Sequence, residues 1–500
     1  MLKKWCFAVA LYAFVQGAFA AWSGSAKLPK VVKSDGLDYY EITTPEELVW
    51  FLDSATVLRK YDETLRAYLK NDIIFGSDTS KLCSKKWVRN KDQSLFQGFF
   101  DGRGHTVYGL NAENSMFETI GINVGEVRNI NVANSSFGSD TAYYVGAIAD
   151  MLRGVVQNVN VTNTKVVSAY YAGGIAGRMI SSDDELTAIF NSSVEGGSVT
   201  GASYVGGIVG YSRGRILGCS NSAKVIYSEK VTDRTDFSYD IYIGGIVGYA
   251  ESQPGYAIEG CVNRGAVEVV TAHREVYVGG VAGYVLGSVA NLQNYGDVSS
   301  KVSFESDPTS SLPVYSYVGG VIGNKHLHRY ETGELRDFLN EGNVTAMVEG
   351  AFKTGEFAVG GIFGENRYLP ISNALNKGAV KAYGYGGELK TYVGGVIGNE
   401  QMNSNYLGFD KLGNRGNVYA EGVFRTYVGG VLGWADRPYN LNYALRLAYN
   451  YGNVTGSVAD TSTLSVVLNV GGIVGYANEM MITDVYNRGS VSAKGKLAYG

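Results

Sequence analysis

The chain has 500 residues, 67 of them glycine against only 7 proline, with 45% hydrophobic side chains and a formal net charge of −4. That balance carries no basic footprint for nucleic acid, and abundant glycine without proline argues against a disordered chain. Scarce proline and 37 tyrosines point instead to strands whose hydrogen-bond ladders cannot spare an N–H.

Taken in order, residues 1–20 read as a secretory signal peptide. Lys3-Lys4 supplies the basic start, residues 5–15 the apolar run, and Ala18-Phe19-Ala20 the cleavage signal, with cleavage after Ala20. The run is too short to span a bilayer, and no later stretch reads as a membrane span. A secreted or cell-surface protein follows as the expectation. Cys6 leaves with the signal, so Cys83, Cys219 and Cys261 remain, too few for a disulfide scaffold. Cys219 and Cys261 hold the same register in consecutive repeats, as two buried thiols or as a disulfide pair.

Residues 21–94 form a non-repetitive leader and capping region. A strand is expected at 39–42 and another at 67–75. Between them Thr44-Pro45-Glu46-Glu47 starts a helix: threonine can cap, proline suits the first helical position, and Glu47 can close a capping box. Leu48, Phe51 and Leu52 are its apolar stripe. A stack of repeats needs such an atypical end to cover its first open edge.

From residue 95 to 500 one phrase keeps returning. Its glycine pairs are Gly206-Gly207, Gly244-Gly245, Gly279-Gly280, Gly319-Gly320, Gly394-Gly395 and Gly429-Gly430, with further pairs starting at 173, 360 and 471. Successive starts are 33, 38, 35, 40, 41, 34, 35 and 42 residues apart, a period that marks stacked coils. A second phrase, Asn-x-Gly-x-Val, alternates with the first at Asn263, Asn294, Asn340, Asn376, Asn414, Asn450 and Asn487; at Asn221 the glycine is replaced by Ala223. The expected architecture is all-β: a right-handed parallel β-helix, or β-solenoid, of about ten repeats of 33–42 residues behind a small N-terminal α/β cap.

Local expectations follow. The glycine phrase should be one strand per coil, apolar on both faces, so that one face fills the interior and the other needs a cover such as hairpin arms. The arm at 381–392 reads as a hairpin turning at Tyr385-Gly386-Gly387-Glu388. The paired glycines leave room for close backbone approach, the glycine of Asn-x-Gly suits a positive φ, and the asparagines should stack into a ladder along one corner. The chain ends at Ala498-Tyr499-Gly500, as though approaching another copy, so a longer natural product is expected.

The stretch Phe96-Gln97-Gly98-Phe99-Phe100-Asp101-Gly102-Arg103-Gly104-His105-Thr106-Val107-Tyr108-Gly109-Leu110 precedes the phrases. Together with the G-G-[IV]-x-G and N-x-G-x-V copies it resembles the bacterial GLUG-repeat family, from about residue 39 onward. The chain mostly carries G-G-[IV]-x-G where the family's literal G-L-x-G would stand. The resemblance implies a large, exported, adhesin-like protein and no shared catalytic motif.

Candidate chemistry is sparse. Tyr204, Tyr242, Tyr277, Tyr317, Tyr392 and Tyr427 precede the glycine phrase, as do Tyr144 and Tyr171. In stacked coils they form either a packing ladder or a row of flat platforms for sugar rings. His326 and His328 share a strand side, a weak zinc signal without a third ligand, and His105 belongs to a turn. Asp183-Asp184-Glu185 is an acidic loop, solvated rather than calcium-binding or catalytic. No HExxH and no GxSxG occurs, so no catalytic residue, metal or cofactor is assigned. Three functions remain open: a non-catalytic solenoid binding polysaccharide or a cell-surface glycan or protein, a polysaccharide lyase or hydrolase with a groove on the helix, and a passive stalk.

Overall fold

The computed structural model describes residues 20–56, 62–89, 94–121, 124–181, 186–228, 240–304, 312–326, 335–367, 369–401, 408–436, 444–459 and 466–495. The signal peptide up to residue 19, the acidic loop at 183–185 and His328 lie outside them.

The chain is a stack of β coils joined by parallel pairing. In one coil, Tyr204–Gly206 is followed by a bend at Gly207 and Ile208, then by Val209–Ser212, Arg215–Leu217, Ser220–Asn221 and Lys224–Tyr227. The tyrosine strands of successive coils form a ten-stranded sheet of their own, and the other sides join a 44-stranded sheet. Register is kept from coil to coil: Tyr204 pairs with Tyr242, Tyr242 with Tyr277, and Tyr277 with Tyr317. The first glycines run in line beside them, Gly206, Gly244, Gly279 and Gly319. Among the described residues the one antiparallel pair is at the entrance, Lys30–Ser34 with Leu37–Ile42.

The glycine phrase is not one strand. It bends at the second glycine, so the residues on both sides of the bend point inward: Val205, Ile208 and Val209 are all fully buried in the interior cluster. Strict alternation fails there, and the cover expected for a second apolar face is not required. The arm at 381–392 is not a hairpin either. Val380–Gly384 pairs with the coils before and after it, and Glu388–Gly394 does the same in the other sheet, so the turn between them is a corner of the coil.

The two phrases meet inside each coil. A Cβ on Gly207 would collide with the amide of Asn221, one on Gly245 with Asn263, and one on Gly395 with Asn414. The asparagines stack as a continuous ladder, buried from Asn221 to Asn450. Each Nδ2 donates to the next Oδ1 at 2.9, 2.9, 2.8, 2.8, 2.8, 2.7 and 2.7 Å from Asn221 through Asn487. The same amide closes its own turn: Asn263 Nδ2 donates to the Gly265 carbonyl at 2.8 Å, and Gly265 N–H donates back to Asn263 Oδ1 at 3.2 Å. Full satisfaction is what makes a buried amide affordable.

The glycine of Asn-x-Gly does not take a positive φ in any copy. It is there because a Cβ on Gly296 would strike the carbonyl of Gly265, and one on Gly342 that of Gly296. Ala223 sits at the foot of this row, where Asn221 rests on Val194 rather than on another asparagine corner, and the methyl group is accommodated.

At the N-terminal end Pro45–Trp50 is a helix whose cap residue Thr44 accepts from Glu47 N–H at 3.3 Å. The Glu47 carboxylate reaches back to Thr43, accepting from its N–H at 2.9 Å and its hydroxyl at 2.7 Å. Leu48, Phe51 and Leu52 are buried, and the Phe51 ring meets Phe96 and Phe100. The strand Arg66–Leu69 pairs with both Leu37–Ile42 and Phe99–Asp101, which makes the cap's sheet continuous with the coils. Asp101 Oδ1 accepts from Arg103 N–H at 2.8 Å in the turn after it. Cys83, Cys219 and Cys261 are buried free thiols.

Candidate functional site

Two aromatic rows run side by side on the outer face at the glycine bend. The first is the phrase tyrosines: centroid spacings are 4.9 Å for Tyr144–Tyr171, 4.7 Å for Tyr171–Tyr204, 5.0 Å for Tyr204–Tyr242 and Tyr242–Tyr277, and 5.5 Å for Tyr277–Tyr317. The second row begins with Tyr211, Tyr249 and Tyr284, stacked at 5.1 and 5.2 Å. Rings of one row meet those of the other edge to face, for example Tyr242 and Tyr249 at 5.2 Å. Most ring faces are therefore taken by other rings. Tyr242, Tyr317, Tyr392 and Tyr427 are buried, whereas Tyr204 and Tyr277 are partly exposed.

Both rows are interrupted in the coil of Ala358 and Glu365, and the second row also in the coil on either side. In the first, Ala358 stands between Tyr317 and Tyr392. In the second, Asn324, Glu365 and Asn399 replace the aromatics, which resume at Trp434 and Tyr476. The Glu365 carboxylate is fully buried and held by four donors. Asn324 Nδ2 reaches Oε2 at 2.6 Å and Asn399 Nδ2 reaches Oε1 at 2.9 Å. Arg367 closes a fork, Nε to Oε2 at 2.9 Å and Nη2 to Oε1 at 3.2 Å. Burial pushes the Glu365 carboxyl up, and Arg367 partly offsets this. With both amide nitrogens committed to Glu365, Asn324 Oδ1 and Asn399 Oδ1 are left buried without a partner.

The break opens a cleft of about 470 Å³ lined by Glu275, Tyr277, Tyr284, Tyr315, Tyr317, Asn324, His326, Glu356, Arg367 and Gln401. Glu275 is partly buried beside Asp240, and that burial followed by the like charge holds its carboxyl above the usual range. Tyr277 Oη donates to Glu275 at 3.3 Å. Burial also pushes the Tyr284 hydroxyl up to about 12, so the lining phenols stay protonated at neutral pH. His326 lies over Tyr284 at 6.5 Å. Opposite the cleft, on the inner side of the same strands, lie Lys325, Asn366 and Glu400, all fully buried. Asn366 Nδ2 donates to Glu400 at 2.9 Å, and burial pushes the Glu400 carboxyl well up.

Of the tyrosines singled out by sequence, the structure brings Tyr277 and Tyr317 to the cleft; Tyr204, Tyr242, Tyr392 and Tyr427 stand along the ladder outside its lining. His105 is not near it: its Nδ1 lies 3.4 Å from Asp72 in a surface turn. Among the described residues no group of three or more His, Cys, Asp or Glu could hold a metal ion. Sequence reasoning missed Asn324, Glu365 and Asn399, although a signal was there. The residue directly after the phrase's last glycine is Tyr211, Tyr249, Tyr284, Trp434 or Tyr476 in five coils, but asparagine or glutamate in these three.

Residues 201–226, one coil from its leading glycine through the strand after the Asn221 corner, match the family described as the GLUG motif. That match supports membership of a GLUG-repeat family. No curated protein and no solved structure matches the chain.

Proposed function

We propose that this GLUG-repeat solenoid is an exported, non-catalytic binding protein that holds polysaccharide or a cell-surface glycan at the cleft between Glu275 and Gln401. The observation that carries the reading is that the break in the aromatic rows coincides with a cavity whose lining includes a buried, unpartnered acceptor, Asn324 Oδ1. A row kept only for packing has no need of Glu365, Arg367 and two amides where aromatics stand elsewhere. Aromatic walls with a few fixed polar groups are the usual composition of a small-ligand site. Among the described residues no helix is long and apolar enough to cross a membrane.

The Asp240–Glu275 carboxyl pair keeps a hydrolase in view, because a raised carboxyl is what a general acid needs. One experiment separates the two. The protein is incubated with plant and bacterial polysaccharides, and retention and new reducing ends are measured. The binding reading expects retention without new ends; released ends favour the enzyme, and no retention on any polymer favours a stalk.

A further inference from the structure

We propose that the cleft is built for a cationic sugar: it takes the ammonium group of an amino-sugar polymer, seated against Tyr277, Tyr284 and Tyr315 between the Glu275 and Glu356 carboxylates. This rests on the glycan reading above and narrows it.

Three observations converge. The first is charge. The lining holds the carboxylates Glu275 and Glu356, and its guanidinium, Arg367, is already held by the buried Glu365. Glu356 has Lys390 at 3.5 Å, outside the lining, while Glu275 faces another carboxylate, Asp240. A cation seated against Glu275 offsets that like-charge contact. The second is the acceptor inventory. Asn324 is 3% exposed, lines the cleft, and its Oδ1 has no partner. That oxygen is an acceptor open to a ligand donor, and an ammonium offers three donors. The third is internal precedent. Earlier in the same aromatic rows, Arg178 takes a second-row position. Its guanidinium carbon lies 5.2 Å from the Tyr211 ring centroid, 5.6 Å from Tyr171 and 6.0 Å from Tyr144. The rows thus already accommodate a cation among tyrosine rings at the distances at which the quadrupole attracts it.

The test is a calorimetric titration of the whole protein at neutral pH with a β-1,4-linked glucosamine hexamer and with its fully N-acetylated counterpart. The amine and the acetamide share a backbone and differ in charge. The amine form is expected to bind about tenfold more tightly, the scale of one desolvated cation–aromatic and carboxylate contact. E275Q and E356Q should each erode that preference by about threefold. An unchanged thermal midpoint certifies each fold, and either variant suffices if the other fails to fold. Equal binding of the two hexamers overturns the ammonium inference and leaves the glycan reading standing. Failure of both hexamers while other polysaccharides are retained also overturns it, whereas failure of every polysaccharide removes the glycan reading itself. Binding of poly-lysine as tight as that of the glucosamine hexamer, or a preference that survives in both variants, would show diffuse attraction and overturn the proposal as well.

Discussion

The asparagine corner and the tyrosine face are both rows of side chains repeated along the same stack, yet one is unbroken and the other is not. From Asn221 to Asn487 every coil supplies the same amide, each fully bonded and seated on a glycine that leaves it room. On the tyrosine face the rows stop at Ala358 and at Asn324, Glu365 and Asn399, leaving acceptors without partners and a carboxylate in the dry. The uniform row maximises stack stability. The interrupted row gives some of that up, which is what a site costs when it is cut into a scaffold.

The contrast predicts a graded set of outcomes. The largest belongs to the corner. Gly245→Val places a branched side chain on the Asn263 amide and the Gly280 carbonyl, and should destabilise by more than about 4 kcal/mol in denaturant unfolding. Asn376→Ala removes one rung, leaving Asn340 and Asn414 each short of a partner; about 3 kcal/mol should be lost by the same measurement. Val209→Asp buries an unpaired charge and should cost several kcal/mol, about as much as a corner variant, whereas a change at partly exposed Ser228 should scarcely register.

The broken region should respond in the opposite direction. Burial holds the folded Glu400 carboxyl well above its ordinary value of 4.5, so the folded chain keeps that proton to higher pH than the unfolded chain. Its contribution is full below the unfolded value and is lost as pH rises through and above it. Glu400→Gln should therefore stabilise the protein at pH 8 by about 1–3 kcal/mol and flatten the fall between acid and neutral pH. A wild-type midpoint no lower at pH 8 than at pH 5, and unmoved by E400Q, would contradict this. The smallest effect is outside: Lys377 and Glu341 bridge coils at 2.6 Å but stand more than a third exposed, so Lys377→Ala should cost no more than about 0.5 kcal/mol and become silent in high salt. A loss near that of Asn376→Ala would erase the distinction between buried rungs and surface pairs.

Legibility divides along the same line. The stacked coils and the two phrases are plain in the sequence because every copy keeps its spacing. The bend at Gly207-Ile208 is not, because it follows from a contact across the coil, where a Cβ on Gly207 would meet the amide of Asn221 from the other phrase. The same cause hid why Gly296 is glycine: a carbonyl one coil away, not a turn of its own. On the tyrosine face, attention to the repeated tyrosines directed the reading toward rings that mostly cover one another. The exceptions Asn324, Glu365 and Asn399 carried the information. Glu275, Tyr315 and Glu356 each stand four residues before the first glycine of their phrase, so the repeat register already placed Glu275 beside Tyr315 and Tyr315 beside Glu356, two positions before the tyrosines that drew the reading.

The central claim is that the unbroken row holds the stack and the broken row holds the ligand. Its most direct test measures affinity for a retained polysaccharide and the thermal midpoint together in three variants, Tyr315→Ala in the cleft, Tyr171→Ala in the intact ladder and Asn376→Ala at the corner. Tyr315→Ala should lose about tenfold in affinity with little change in midpoint. Tyr171→Ala and Asn376→Ala should lower the midpoint and, at a temperature where they remain folded, bind as the parent does. Equal loss of affinity from Tyr171→Ala and Tyr315→Ala would contradict the account, because binding would then belong to the whole tyrosine ladder and not to its break.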